Sequence, residues 1–433
     1  MKAALVVKRA TLTVTLSVGV LLTALSSQAA PSLDARIDKI LDTTPLIDGH
    51  NDLPWEIRKK FGGDVSAAQL EQNHQKPDGS MDLMTDIPRL KAGRVGAQFW
   101  SVWIPVSVQG AAAVQMTLEQ IDIVKRMTEA YSANFELALT AADIRRIHRN
   151  HKIASLIGVE GGHQINESAA VLRQYYDLGV RYMTLTHTTN VPWADSATDT
   201  PKVHGLTPDG ERVVREMNRL GMLVDLSHVS EETMLAALNV TQAPVMFSHS
   251  SARAINAHPR NVSDDVLKKL AQNNGVVMVN FFTNYVSETR RVWAAERDAE
   301  MARLNHPPYG GIYIGQPEKA KVALAAWDKA HPKPEVTIEV VADHIDHIRQ
   351  VAGIDHVGLG SDFDGIDETP KGLEAVDRYP ALLKLLAARG YSDQDLAKLA
   401  GGNLLRVLTD AERVADGLKH ATQLTQKLAV NEE

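Results

Sequence analysis

The chain has 433 residues, of which 44% are hydrophobic and 23% charged, an ordinary composition for a globular protein with a large core. Its net charge of −7 and the absence of long runs of like charge argue against nucleic-acid binding, so we expect no nucleic-acid partner. The chain has no cysteine, which excludes disulfides, thiolate metal ligands and a lipid-modified cysteine.

Residues 1–29 have the pattern of a secretory signal peptide. Basic residues lie near the start, residues 12–25 form an apolar stretch, and small residues precede a predicted cleavage after Ala29. The apolar stretch is shorter than the roughly 20 residues of a membrane span, which disfavours the alternative of a membrane anchor. We therefore predict a secreted or periplasmic protein without a stable membrane anchor, whose mature domain comprises residues 30–433.

Short apolar segments alternate with helical patterns along this mature domain. Each apolar segment is rich in Val, Ile, Leu or Met, as expected of a parallel strand that is buried on both faces. The eight predicted strands are 46–49, 97–103, 153–159, 181–186, 222–227, 245–248, 275–281 and 356–361. The clearest helical patterns are 118–132, 141–150, 169–178, 210–220, 230–238, 264–273 and 338–351.

This alternation predicts an α/β fold, a closed (β/α)8 TIM-like barrel with its helices outside. An open doubly wound sheet is the alternative, but its site would lie at one switch point, whereas polar residues follow many of these strands. The charged segment of about 287–334 interrupts the alternation after the seventh strand. We interpret it as an insertion on the mouth side that either covers the site or is a surface elaboration without a catalytic role.

Five side chains of metal-ligand type follow the predicted strands. His50 and Asp52 follow the first strand, Glu160 the third, His228 the fifth and His249 the sixth. Because the carboxyl ends of barrel strands meet at one mouth, these side chains are predicted to lie together. Histidine and carboxylate ligands of this kind are typical of a hydrolytic zinc centre.

The spacing of these residues is compatible with two ions. His50 and Asp52 are two positions apart, so in an extended segment both point to one side, although a hydrogen-bonding pair in a loop would look the same. Glu160 could bridge two cations or, alternatively, cap the next helix. His228 and His249, on adjacent strands, are placed for one ion. Two zinc ions with Glu160 between them would acidify a water toward neutral pH.

Two further polar residues end predicted strands and face the same mouth. His187 ends the fourth strand and Asp362 the eighth. An aspartate near metal is a candidate proton acceptor, and a histidine there could hydrogen-bond a developing oxyanion. By contrast, His344 and His347 share a predicted outer helix, and we interpret both as structural or solvated residues.

Taken together, these motifs resemble the membrane (renal) dipeptidase family, the M19 metallopeptidases. The resemblance extends from about Asp48 to Leu408, nearly the whole mature chain. The matching segments are DGHNDLP at 48–54, GVEGG at 158–162, LTH at 185–187, DLSH at 225–228, SHSSA at 248–252, RNV at 260–262 and GSDFDG at 360–365.

The resemblance implies a barrel with a binuclear zinc centre, in which five residues share two zinc ions per chain. His50 and Asp52 would hold one zinc, His228 and His249 would hold the other, and Glu160 would bridge them. The metal-bridged water would be the nucleophile. The implied reaction is the hydrolysis of dipeptides, with tolerance for a D-residue on the C-terminal side, and homodimer formation is a trait of the family.

The resemblance also implies the residues that contact substrate. His187 matches a histidine that lies near the scissile carbonyl, Arg260 an arginine that binds the substrate carboxylate, and Asp362 an acid that hydrogen-bonds the bridging water and shuttles its proton. Arg253 is a second candidate for the carboxylate. Phe282 departs from the pattern because relatives carry a tyrosine there, which predicts the loss of one hydroxyl contact.

Two other functions fit parts of this pattern. A different metal-dependent amidohydrolase, acting on small amides or N-acyl amino acids, would use the same barrel, but such enzymes commonly begin with His-x-His, where this chain has His50 and Asp52. A binding protein without turnover would usually lack one ligand, and all five are present. We therefore predict a metal-dependent dipeptidase whose partner is a small-molecule dipeptide.

Overall fold

The computed structural model describes residues 1–8, 10–11 and 32–419. The apolar stretch and the cleavage site of the predicted signal peptide thus lie outside the described residues. Within those ranges, no helix combines the length and the hydrophobicity that crossing a membrane requires. The described residues from Leu33 onward belong to one compact unit.

Eight parallel strands close into a barrel, which confirms the predicted (β/α)8 fold. With one additional strand, β3, they are β1 (Leu46–Asn51), β2 (Val95–Trp103), β3 (Phe135–Leu137), β4 (Ile153–Glu160), β5 (Val180–Thr184), β6 (Leu223–Asp225), β7 (Met246–Phe247), β8 (Val276–Val279) and β9 (Val357–Leu359). Pairing of β2 with β4 and of β1 with β9 closes the ring, and β3 extends beside the start of β4.

The helices cover the outside of this barrel. They are α1 (Leu33–Thr43), α2 (Leu53–Phe61), α3 (Ile87–Ala92), α4 (Ala111–Ala130), α5 (Ala141–Arg149), α6 (Ala169–Asp177), α7 (Pro208–Leu220), α8 (Glu231–Val240), α9 (Asp264–Asn273), α10 (Thr283–Val286), α11 (Glu288–Leu304), α12 (Pro317–Ala330), α13 (Ile338–Ala352), α14 (Tyr379–Ala388), α15 (Asp393–Ala397) and α16 (Asn403–Gly417). Ser230 and Ser263 cap α8 and α9, since each side chain accepts a backbone N–H three residues further on.

The register of the strands places the site residues side by side. Glu160 at the end of β4 is level with Thr184 of β5, and Thr184 is level with Asp225 of β6. The predicted strands 222–227 and 245–248 are longer than the observed β6 and β7. Their polar ends leave the sheet, because His228 and His249 turn into the mouth instead of continuing the ladder.

The predicted insertion at 287–334 contains α11 and α12. The two helices are joined by an ion pair in which Arg297 Nε lies 2.8 Å from Asp328 Oδ1. The side chain of Trp293 stacks near that of Trp327, with the ring centroids 6.0 Å apart. The segment is therefore an ordered helical pair that follows β8 and α10.

Candidate metal centre and cleft

The predicted metal ligands meet in one buried cluster around Glu160. Glu160 Oε2 lies 3.4 Å from His50 Nε2, while Oε1 lies 2.9 Å from His228 Nε2 and 3.5 Å from His249 Nε2. Asp52 Oδ2 lies 3.3 Å from His50 Nε2. One oxygen of this carboxylate therefore faces His50, which itself contacts Asp52, and the other oxygen faces His228 and His249.

Two histidines of this cluster, His228 and His249, have the protonation state that metal ligands need. By contrast, the Tyr182 hydroxyl and two neighbouring carboxylates raise the pKa of His50 well above its usual range against the effect of burial. Burial, reinforced by the nearby Arg260 cation, holds the pKa of His228 and of His249 well below the usual range, so both rings are neutral. The Nε2 atoms of these two rings approach to 2.9 Å. Among the residues that the structure describes, the buried Nε2 of His50 has no hydrogen-bond partner. Neutral rings with converging nitrogens are suited to bind a cation.

The carboxylates of the cluster crowd negative charge into a buried space. Burial, together with the charges of Asp52 and Glu160, raises the pKa of Asp362 to about 8, although His50 opposes the shift. Asp362 Oδ1 lies 4.0 Å from His50 Nε2. The clustered groups form overlapping sets whose ligand atoms lie within 4.8 Å of one another. Such a concentration of acidic oxygens is stabilised by bound cations, so the residues present fit divalent metal ions.

Backbone conformation at this mouth is adapted to the site. His228 and Asp362 have φ angles of 68° and 70°, which are uncommon for residues with a side chain and occur at functional sites. At Gly365 a Cβ atom would lie 2.2 Å from Asp52 Oδ2 and 2.5 Å from Asp362 Oδ1. Glycine is therefore required there, because any side chain would displace the two carboxylates.

His249 is oriented by a short relay that ends at a buried carboxylate. Its Nδ1 lies 2.8 Å from Ser248 Oγ, and the Ser248 hydroxyl donates to Asp225 Oδ2 at 2.6 Å. Asp225 also accepts the backbone N–H of Ser248 at 2.8 Å. With Nδ1–H donating to Ser248, the lone pair of His249 is on Nε2, the atom that faces Glu160.

His50 is oriented by a neutral group instead. The Tyr182 hydroxyl lies 2.8 Å from His50 Nδ1. Tyr182 fits inside the barrel because Gly158 lacks a side chain, and a Cβ atom at that position would lie 2.0 Å from the tyrosine ring. Among the residues that the structure describes, His228 Nδ1 has no hydrogen-bond partner.

The cluster lies in a cleft of about 740 Å³. His187 and Asp362 line this cleft beside four of the five predicted ligands, as the strand ends suggest, while the fifth, His50, is fully buried behind them. His187 Nε2 lies 3.5 Å from Glu160 Oε1, and Asn280 donates its side-chain amide to Asp362 Oδ2 at 2.9 Å. The other walls come from the first turns of α2, from residues 79–84 and from residues 364–369, named the 364–369 wall, of which all but Glu368 face the cleft. Four aromatic residues complete the lining: Trp55, Trp103, Phe282 and Tyr285.

Arg260 lies behind the cleft as a buried cation. It is 1% exposed, and its guanidinium lies 3.3 Å from the carbonyl oxygen of His249 and 3.4 Å from Ser250 Oγ. Within the described ranges, it has no acidic partner and its Nε makes no hydrogen bond. By contrast, Arg253 forms an ion pair with Glu231. Arg260 is therefore the arginine that can bind an additional anion.

Tyr285 also lines the cleft, although it was not predicted from the sequence. Its ring meets that of Phe282 edge to face at 4.9 Å, and the Arg260 guanidinium lies 5.4 Å from the ring centre. One turn of α10 thus brings a tyrosine to the wall at which Phe282 was predicted to leave a hydroxyl missing. Tyr285 follows Phe282 by three positions, a spacing that places two side chains on the same face of a helix. This signal could not be used because the short α10 was not predicted.

The histidines predicted to be structural lie elsewhere. His344 is buried, its Nδ1 accepts the backbone N–H of Ala252 at 2.9 Å, and its Nε2 lies 2.9 Å from the carbonyl oxygen of Val286. Burial lowers the pKa of His344 to about 4, so the ring is neutral. His347 pairs with Asp264 at 2.7 Å. Neither residue lines the cleft.

A (β/α)8 barrel with buried histidines and carboxylates at the carboxyl ends of its strands defines a metal-dependent hydrolase. The family model described as membrane dipeptidase, peptidase family M19, matches residues 34–422. The chain belongs to this family and is a metal-dependent dipeptidase.

Solved structures of similar proteins agree in fold. The probable dipeptidase PvdM from Pseudomonas aeruginosa is 24% identical, with a TM-score of 0.72 over 88% of this chain and 99% of that one. A metallopeptidase from Rhodobacter sphaeroides, bound to a phosphinate mimic of L-Ala-D-Ala, is 24% identical, with a TM-score of 0.68 over 85% and 99%. The dipeptidase AC, a family M19 metallopeptidase, is 25% identical with the same TM-score and coverage.

Proposed function

We propose that this protein is an exported binuclear zinc dipeptidase that accepts a D-residue at the C-terminal position. The observation that carries the proposal is the arrangement of Glu160, one oxygen of which faces His50 while the other faces His228 and His249. In this proposal His50 and Asp52 hold one zinc, His228 and His249 hold the other, and Glu160 bridges them. When bound, the zinc ions supply Lewis acidity that polarises a carbonyl and lowers the pKa of water.

Asp362 and His187 act on the protons and charges of the reaction in this proposal. The amide of Asn280 holds Asp362 Oδ2, which leaves Oδ1 free to face the ligand cluster. Asp362 accepts a proton from the attacking water and returns it to the leaving amine. His187, which is partly exposed to the cleft, hydrogen-bonds the oxygen on which negative charge develops.

Arg260 gives the selectivity for dipeptides. A buried arginine without an acidic partner favours a bound carboxylate, and a free C-terminal carboxylate satisfies it in a way that a continuing peptide chain does not. Arg260 contacts His249, so the bound carboxylate is held one substrate residue away from the peptide bond at the metal centre. The D-residue tolerance is supported by the L-Ala-D-Ala mimic that the Rhodobacter sphaeroides protein binds.

Export and the mature boundary are supported by sequence composition. Residues 1–29 combine a basic start, an apolar stretch and small residues before Ala30. The mature domain then comprises residues 30–433. N-terminal sequencing of the protein recovered from a secreting host tests this boundary, and a start at Met1 would contradict it.

The proposed function is tested by metal analysis combined with hydrolysis assays. We expect two zinc ions per chain in the purified mature protein, and cleavage of L-Ala-L-Ala and L-Ala-D-Ala that is lost on chelation and restored by zinc. One zinc per chain would contradict the bridging role of Glu160. Bound zinc without dipeptide cleavage would favour the alternative, an amidohydrolase of small amides or N-acyl amino acids.

A further inference from the structure

The inserted helices α11 and α12 do not line the cleft, yet they touch its walls. Among the described residues, none between 287 and 334 contributes to the cleft surface. The first turn of α11 nevertheless reaches two loops that do carry cleft or substrate-site residues. The insertion therefore affects the cleft through its contacts with these loops rather than by covering it.

One contact is an ion pair with the 364–369 wall. Arg290 Nε lies 3.1 Å from Glu368 Oε2, and Arg290 Nη2 lies 2.5 Å from the same oxygen. Lys333, at the end of the insertion, lies 2.8 Å from Glu368 Oε1. The residues on either side, Asp367 and Thr369, line the cleft. Both ends of the insertion thus hold Glu368, while its neighbours face the substrate space.

The ion pair is partly shielded from water. Arg290 is 7% exposed, and its guanidinium lies 4.6 Å from the centre of the Trp293 ring. The planar guanidinium is therefore fixed by stacking on one side and by the carboxylate on the other. A pair held in this way has less rotamer freedom to lose than an exposed pair, so it positions its loop more firmly.

The other contact fastens the loop that carries Arg260. Glu288 Oε2, in the same helical turn as Arg290, accepts the backbone N–H of Ala257 at 3.1 Å. Asn261 then donates its side-chain amide to the carbonyl oxygen of Tyr285 at 2.7 Å. A single turn of α11 thereby connects the Arg260 loop to the 364–369 wall.

We propose that Arg290 and Glu368 are positioning residues that determine specificity for the N-terminal side chain of the dipeptide. The inference rests on the proposed function, since it places the substrate carboxylate at Arg260. Arg260 contacts His249, whereas Gly365 of the 364–369 wall packs against Asp52, so in this proposal the wall faces the N-terminal residue. Neither Arg290 nor Glu368 touches a predicted ligand, so loss of the pair weakens substrate binding without changing the chemical step.

The experiment compares Arg290→Met with the matched control Arg297→Met. Both arginines are on α11, both pair with a carboxylate, and both lie near Trp293, at 4.6 and 5.9 Å. The partner of Arg297 is Asp328, inside the helical pair and away from the cleft. We expect Arg290→Met to raise KM for L-Leu-L-Ala about five-fold, with a smaller effect on Gly-L-Ala. kcat and zinc content should stay unchanged, and Arg297→Met should leave KM unchanged.

A second variant and thermal unfolding keep the test decisive. Glu368→Gln retains the shape of the side chain and should raise the same KM in the same direction, which covers the case in which Arg290→Met folds poorly. Equal kinetics for the Arg290 and Arg297 variants, with only lower Tm, would overturn the proposal. So would a fall in kcat or zinc content. Absence of dipeptide cleavage in the wild-type protein would instead contradict the proposed function.

Discussion

Two buried aspartates on opposite sides of the barrel have similar surroundings. Asp48 on β1 accepts hydrogen bonds from the Ser361 hydroxyl at 2.7 Å, the Tyr379 hydroxyl at 2.7 Å and the Gln98 amide at 3.0 Å. It thereby joins β1 to its neighbours β2 and β9. Because the carboxylate is buried, these hydrogen bonds are needed to hold its charge in the barrel.

Asp225 on β6 makes the equivalent connections on the other side. It accepts the Thr184 hydroxyl at 2.5 Å and the Ser248 hydroxyl at 2.6 Å, and so joins β6 to β5 and β7. The difference lies in what the serine touches next. Ser248 contacts the ring of His249, whereas Ser361 contacts no histidine ring. One network therefore reaches the ring of a predicted ligand, whereas the other reaches only the backbone of His50, through its N–H and its carbonyl oxygen.

This difference shows that strand cross-linking and ligand orientation are separable tasks. A carboxylate behind a histidine fixes its tautomer and makes the ring a better ligand. His249 has this support through Ser248, and His50 has only the neutral hydroxyl of Tyr182. We therefore expect the His249 side of the centre to depend more strongly on its hydrogen-bond partners than the His50 side.

Removing the residue that both sides share should have the largest effect. We expect Glu160→Ala to abolish zinc binding and to lower kcat/KM by about 10³-fold or more, because several kcal/mol of metal-dependent stabilisation is lost. Zinc analysis and dipeptide hydrolysis measure both quantities. Glu160→Gln keeps one oxygen and should retain part of the metal. Full zinc content and activity in Glu160→Ala would disprove the shared role.

Arg260 borders the His249 side, and its removal should change substrate binding rather than metal binding. We expect Arg260→Ala to raise KM for L-Ala-L-Ala by about 10- to 100-fold, since a charged hydrogen-bonding pair contributes roughly 1.5–3 kcal/mol. Zinc content should be unchanged. Arg253→Ala, which removes the ion pair with Glu231 and two hydrogen bonds to the backbone of the Arg260 loop, tests the second candidate and should raise KM less. An unchanged KM in Arg260→Ala would rule out this residue as the carboxylate partner.

The comparison of the two serines tests the separation of tasks directly. Ser248→Ala should weaken zinc affinity about tenfold, because His249 loses the partner that orients it. Ser361→Ala removes an equivalent hydroxyl from Asp48 and should lower Tm without weakening zinc binding. Competition with a chromogenic chelator measures both affinities. If the two variants lost zinc affinity equally, the relay through Ser248 would have no special role.

The smallest effect is expected on the His50 side. Tyr182→Phe removes one neutral hydrogen bond to His50 and should weaken zinc affinity about three-fold. Tyr379→Phe removes a hydroxyl from Asp48 without touching a histidine, and it serves as the matched control. Zinc titration of the two variants distinguishes them. A larger loss in Tyr182→Phe than in Ser248→Ala would reverse the order of support inferred above.

The amino-acid sequence by itself determined the barrel and the composition of its mouth. The eight strands could be predicted because burial on both faces leaves a local signal of consecutive apolar residues. His50, Glu160, His228 and His249 could be placed at one mouth because parallel strands in a barrel end on the same side. Helices α1, α2, α3, α10, α11 and α14 were not predicted, and of these α3 and α10 have only 6 and 4 residues, too few for a periodic signal.

Only the tertiary structure decided which of the available groups act together. It separated Arg260 from Arg253, brought Tyr285 to the cleft, and placed α11 behind the walls instead of over the site. Each of these outcomes depends on contacts between segments that are distant in the chain, such as Arg290 with Glu368. Such contacts are set by packing and by the pairing of buried charges, and they leave no periodic signal in the sequence.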